Sequence, residues 1–148
     1  MTELPFPEAD LREHAPRSPR VELAGLVLMA RTVDKARAKL QGTLGEYKIG
    51  PGLSAYLLDM LGIGEDDFLA AVRELREDEP IAVWIRAHSD PSAYAEINQR
   101  FETRRIRDAE HRAQFSPRYP FLDEKPEMWN WFEILEYDDR ESFTPTPR

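Results

Sequence analysis

Leu53, Tyr56, Leu57, Met60 and Leu61 fall at positions i, i+3, i+4, i+7 and i+8, and Gly62 follows at once. That is one face of a helix, closed by a residue that turns left-handed at no cost. Short apolar faces at helical spacing recur along the chain. Glu65-Asp66-Asp67 opens a helix with acids at its positive end, Phe68, Val72 and Leu75 on its inner face, and Arg73 and Arg76 at its negative end. Asp78-Glu79-Pro80 starts the next, with Ile81, Trp84, Ile85 and His88 on one side. Asp90-Pro91 repeats the device, and Tyr94, Ile97 and Phe101 face inward on a helix predicted to reach Arg112. Met128, Trp131, Phe132 and Leu135 give one more apolar face. Residues 31–40 read as a helix capped by Thr32, with Gly42 past its end. Val21 to Ala30 is apolar without a period, so a strand and a buried helix both fit. The segments 42–52 and 114–126 read as loops. The expected fold is mainly α: a single compact domain, 1–148, of five or six short helices. Pro5, Pro7, Pro16 and Pro19 give it an extended N-terminal arm, and residues 1–9 and 140–148 are expected to be flexible ends.

At 148 residues and 41% hydrophobic, the chain can build such a domain around its own core. It has no cysteine, so nothing in it calls for an oxidising compartment. Twenty Lys and Arg against 28 Asp and Glu give a net charge of −8, which speaks against nucleic acid and anionic lipid as partners. The longest apolar run, 23–30, is far short of a membrane span. An acidic, Pro-rich start is the opposite of a signal or transit peptide. A cytoplasmic protein is expected.

The charge is unevenly spread. Residues 12–48 hold 8 bases and 4 acids, a local excess within an acidic chain. Arg31, Lys35 and Lys39 form one stripe at helical spacing, although like charges so placed mildly oppose a helix. One reading is an anion site in which Lys35, Arg37 and Lys39 bind phosphate or carboxylate, Arg17 and Arg20 supply a second wall, and Gly42 to Gly45 approaches the ligand. The other is a solvated face, with Asp34 pairing Arg37. Tyr47, between Glu46 and Lys48, is a candidate proton donor or a half-buried ring. Arg100, Arg104, Arg107 and His111 make a second stripe that Glu96 and Asp108 are placed to neutralise. His14, His88 and His111 are scattered, and Glu136, Asp138 and Asp139 read as a solvated acidic end, so no metal site is expected. No phosphate-binding glycine loop or nucleophile motif occurs, and no cofactor is expected. Trp129 projects away from the Trp131/Leu135 face and is a candidate interface anchor.

Three stretches together resemble a known family: Asp10-Leu11 with Ala15-Pro-Arg-Ser-Pro-Arg20; Asp34-Lys-Ala-Arg-Ala-Lys39 with Gly42 and Gly45-Glu-Tyr47; and Leu58-Asp-Met-Leu-Gly-Ile63. With Trp84 and Trp131-Phe-Glu-Ile-Leu-Glu-Tyr-Asp-Asp139, they resemble bacterial domain-of-unknown-function family number 5069 across residues 10–143. The resemblance implies one domain and no particular activity. Many members of that family have an Asn-Cys-Pro-like loop after Gly-Glu-Tyr. Here the loop reads Ile49-Gly-Pro-Gly52, so no thiol chemistry is expected there.

Three functions follow as expectations. The first is a binding domain for a small anionic ligand or an acidic peptide, using Arg17, Arg20, Lys35, Arg37, Lys39 and Tyr47. The second is a protein-interaction or self-associating module anchored by Trp129. The third is a small enzyme acting on an anionic metabolite near Lys35 and Tyr47.

Overall fold

The computed structural model describes residues 6–143, so the outermost parts of the two expected flexible ends lie outside the described residues. The architecture is mainly α. Seven helices follow in order: α1 Met29–Gln41, α2 Leu53–Leu61, α3 Glu65–Leu75, α4 Asp78–Ala87, α5 Tyr94–Glu102, α6 Ala109–Phe115 and α7 Trp131–Phe143. Short 3₁₀ turns occupy Pro7–Ala9, Pro91–Ala93 and Pro120–Asp123. No helix among the described residues is long and apolar enough to cross a membrane.

The central element is α1. It packs against α2, α3 and the N-terminal 3₁₀ turn, and α3 packs in turn on α4. Residues 29–34 and 36–38 are all buried, so α1 is covered on nearly every side. It starts earlier than Thr32. Leu28, with φ of 70°, is its N-cap, and the Thr32 hydroxyl instead donates to the Leu28 carbonyl and meets Ser54 Oγ at 2.9 Å. At the other end Gly42 adopts the expected left-handed turn and donates its N–H to Lys39 and Ala38 carbonyls.

The ambiguous stretch before α1 is neither strand nor helix. Residues 21–28 form tight turns, with a single bridge between Leu23 and Leu26. Asn98 on α5 holds them, accepting from the Val27 N–H and donating to the Gly25 carbonyl, while Arg86 donates to Ala24. Side chains replace the ladder that a strand would need, which is how buried irregular backbone stays satisfied. The N-terminal arm lies along the end of α1. Gln41 hydrogen-bonds both backbone groups of Phe6, and Phe6, Ala9, Leu11 and Ala38 bury together. Gly45 passes so close that a Cβ there would lie 2.9 Å from the Leu11 carbonyl oxygen.

The helix expected to run through Arg112 breaks after Glu102. Its apolar face ends at Phe101. The chain then turns so that Ile106 donates to the Trp129 carbonyl and Trp131 to that of Arg104, and Asp108 caps a separate α6 by accepting from the His111 N–H. Asp108 therefore serves α6 and Arg107 rather than Arg104 or Arg112. Arg112 donates to the carbonyls of Leu122, Lys125 and Met128 and ties down the loop ahead of α7.

Besides that N-terminal cluster, the described residues form two bigger apolar clusters. The larger gathers α1 to α5 around Met29, Val33, Leu57, Phe68, Val72, Ile81, Ile85 and Phe101, and takes in Phe132 of α7. The smaller holds Ile106, Tyr119, Leu122, Met128, Trp131 and Ile134. Helix α7 thus contributes to both, and Leu53 touches both.

Candidate functional site

A cleft of about 620 Å³ opens where the two clusters meet. Leu28, Arg31 and Lys35 of α1 form part of its lining, together with Tyr47, Lys48 and the following loop, and Tyr56 of α2. Across from them stand Arg104, His111, Phe115, Arg118 and Tyr119, and α7 adds Trp131, Leu135 and Asp138. Five Lys or Arg side chains line the cleft against one carboxylate, Asp138, in a chain whose net charge is −8. Aromatic rings make up much of the remaining wall. Such a surface suits a small molecule with an anionic group and an apolar body.

Behind the cleft, Arg31 is 2% exposed and grips Asp139 in a bidentate pair at 2.7 and 3.2 Å. The Tyr47 hydroxyl donates to the same carboxylate at 2.7 Å, and the Arg31 guanidinium lies over the Tyr47 ring at 5.6 Å. Burial, then the hydrogen bond to Asp139, pushes the Tyr47 hydroxyl well above the ordinary phenol range. At neutral pH Tyr47 is a neutral donor and a fixed one.

Lys35, one turn after Arg31, takes no part in that pair. It makes no hydrogen bond and no ion pair with any described residue. Burial, then the positive charge of Arg31, brings its ammonium down to about 7, with Arg118 adding to the fall and Asp139 opposing it. Asp138 moves the other way: burial, then the charge of Asp139, raises its carboxyl above 3.8.

Of the candidate anion ligands Arg17, Arg20, Lys35, Arg37, Lys39 and Tyr47, Lys35 and Tyr47 share this cleft and the other four do not line it. Arg17 and Arg37 lie on another side of α1, where they clasp Asp34 and Asp78. Arg17 reaches Asp34 at 3.0 Å and Asp78 at 2.7 Å, and Arg37 reaches Asp78 at 3.1 Å. Arg20 pairs with Glu136 at 3.0 Å, and Lys39 with Glu65 at 2.6 Å. The Trp129 ring lies 4.7 Å from the Arg112 guanidinium carbon and 6.0 Å from that of Arg105, with its indole N–H donated to the Pro126 carbonyl. Of the three acids near the C-terminus, Glu136 binds Ser18 and Arg20, Asp139 binds Arg31 and Tyr47, and Asp138 lines the cleft. No three His, Asp or Glu side chains among the described residues are grouped to hold a metal ion.

The paired cluster has its own pH signature. The Arg17 hydrogen bond holds the Asp78 carboxyl below 3.8 against the opposing effect of burial. A depressed carboxyl stabilises the fold above its unfolded value and loses that contribution as the pH falls through its folded value. Asp78→Asn is therefore expected to cost about 1 kcal/mol or less at pH 7, because both partners are partly exposed. Urea unfolding at a series of pH values should show the gap between variant and wild type closing below pH 3.8.

Sequence reasoning missed Arg104, Arg118, Lys48 and His111 as parts of one site. Arg104 had been matched with Asp108, whereas its guanidinium lies 4.8 Å from the Tyr56 ring centre on the cleft wall. The available signal was the excess of Arg over nearby acids at 104–118, which no helical pairing absorbs once α5 stops at Glu102. Over residues 13–141 the chain matches the family described as "Domain of unknown function (DUF5069)". None of the curated proteins matches it.

Proposed function

Because the chain belongs to the DUF5069 family, whose function is unknown, its own cleft has to suggest a role, and we propose that it binds a small anionic ligand with an apolar or aromatic body. The observation that carries this reading is the gathering of Lys35, Lys48, Arg104 and Arg118 around one aromatic-walled cleft in an acidic protein. Arg31 belongs to the wall, but its charge is already committed to Asp139. Lys35 is not committed, and neither Arg104 nor Arg118 is paired with a carboxylate within 4.0 Å among the described residues. Charge-assisted contacts of Arg and Lys to phosphate, sulfonate or carboxylate are each worth roughly 1.5–3 kcal/mol when they form. The aromatic walls would bury the remainder of the ligand.

The probe 1-anilinonaphthalene-8-sulfonate combines a fixed anion with aromatic rings and tests the reading directly. Fluorescence titration of the folded chain is expected to show one saturable site that weakens at least about tenfold in the double variant Arg104→Ala, Arg118→Ala. Lys39→Ala, outside the cleft, is expected to leave the titration unchanged. Equal binding to wild type and double variant would remove the proposal.

A further inference from the structure

Building on the anion site, we propose that Lys35 captures a carbonyl compound covalently, its Nζ condensing with the aldehyde or ketone of a small anionic ligand to form a Schiff base. The ligand class is thereby narrowed to anions that carry a carbonyl group.

The first support is Lys35's lack of any partner. Of the chain's four lysines, Lys39 is paired with Glu65 and Lys125 sits 4.9 Å over the Tyr137 ring. Lys48 is exposed at the cleft edge, and only Lys35 is half-buried in the lining with no hydrogen bond or ion pair to a described residue. The carboxylate one might expect beside Lys35 is Asp139, and its oxygens are taken. Oδ2 accepts from Arg31 Nη1, while Oδ1 accepts from Arg31 Nη2 and the Tyr47 hydroxyl. Lys35 is left with the repulsion of Arg31 and Arg118 and an incomplete counter-charge. That arrangement leaves a large share of the amine neutral and nucleophilic at neutral pH.

The charged groups that act on Lys35 or share its cleft come from several elements: Arg31 from its own helix, Arg118 from the loop after α6 and Asp139 from α7 act on it, while Tyr47 and Lys48 from the loop before α2 and Asp138 from α7 share the lining. Arg118, Arg104 and Lys48 are available to the ligand's anionic group. Asp138, raised by burial and by Asp139, can carry the proton that the condensation requires.

In the first step the amine lone pair adds to the carbonyl carbon. The carbonyl π pair moves to oxygen, which takes up a proton as the nitrogen gives one up. A proton from solvent, relayed through Asp138, then reaches the carbinol hydroxyl, the C–O bond breaks, and water leaves as the nitrogen lone pair closes the C=N bond. Amine, carbonyl and one proton become iminium and water, with no change of oxidation state. The Asp138 carboxylate remains as a counter-ion in the same cleft.

The test uses pyridoxal 5′-phosphate, an aromatic aldehyde with a phosphate, reduced in place with cyanoborohydride and mapped over the four lysines by peptide mass spectrometry. A group titrating at about 7 rather than 10.5 has roughly a thousandfold more free amine at pH 7. A less basic amine is also a weaker nucleophile, so Lys35 is expected to label about tenfold or more faster than Lys48. Unphosphorylated pyridoxal is expected to label Lys35 more slowly than the phosphate does, because Arg104, Arg118 and Lys48 no longer hold it in the cleft, while the advantage from the free amine remains. Selectivity should fall as the pH rises, because an ordinary lysine amine loses its proton near about 10.4. Lys35→Arg should abolish the fast label. Labelling spread over Lys39, Lys48 and Lys125 with Lys35 no faster would overturn the inference. If the sulfonate probe still binds in the cleft while Lys35 is not labelled first, the covalent step falls and the anion site stands. If neither occurs, both fall.

Discussion

Asp139→Asn is expected to destabilise the protein by about 3–5 kcal/mol, the usual cost of leaving a buried charge without its partner. Arg31 is 2% exposed, so its guanidinium can recover little hydration when the carboxylate goes. The substitution keeps shape and still accepts from Tyr47, so lost packing contributes little and the loss reports on charge. For a chain of this size the midpoint of thermal unfolding should fall by roughly 10 °C or more. Calorimetry measures it. A double substitution Arg31→Met, Asp139→Leu removes both charges and should recover most of the loss, because an apolar pair of similar volume is often as stable as a buried ion pair. A drop of less than about 1 kcal/mol for Asp139→Asn would mean that water reaches Arg31 in the cleft.

Phe132→Ala is expected to cost a similar amount, about 3–5 kcal/mol, for a different reason. Phe132 is fully buried in the larger cluster, while its neighbours Trp131 and Ile134 belong to the smaller one. Truncating it leaves a cavity where α7 is fastened to the rest of the fold. Urea unfolding should show a lower midpoint with an unchanged slope, the mark of lost stability without a change in the surface exposed. Val83→Ala, at a residue 64% exposed on α4, should stay within about 0.5 kcal/mol. Since α7 also carries Asp138 and Asp139, Phe132→Ala should weaken the sulfonate site although Phe132 does not line it.

The parts of the fold that were legible in the sequence are those whose determinants are local. Helix α2 shows itself through Leu53, Leu57 and Leu61 with Gly62 behind them, and α3 through its acidic first turn and Phe68. The setting of α1 was not legible. Its charges suggest a helix with one wet face, yet Arg31, Asp34 and Arg37 are buried because their partners arrive from Asp78 and Asp139, far along the chain. Counting charges between 12 and 48 finds the excess but not those partners. The sequence puts Arg17, Arg20, Lys35, Arg37, Lys39 and Tyr47 in one group, whereas in the fold Lys35 and Tyr47 line the cleft and Arg17, Arg20, Arg37 and Lys39 are committed to ion pairs. The break after Glu102 was hidden for a related reason. Ile106 leaves the α5 face to join a second cluster built mainly from residues 115–137.

Arg31 and Asp139 stand 108 residues apart in the sequence. A ribosome that makes the chain from its N-terminus therefore produces the central helix well before the carboxylate that neutralises it. Until α7 emerges, the nascent chain can assemble Met29, Val33 and Phe68 only around an uncompensated guanidinium. Synthesis of α7 therefore supplies the charge that lets this interior close around Arg31.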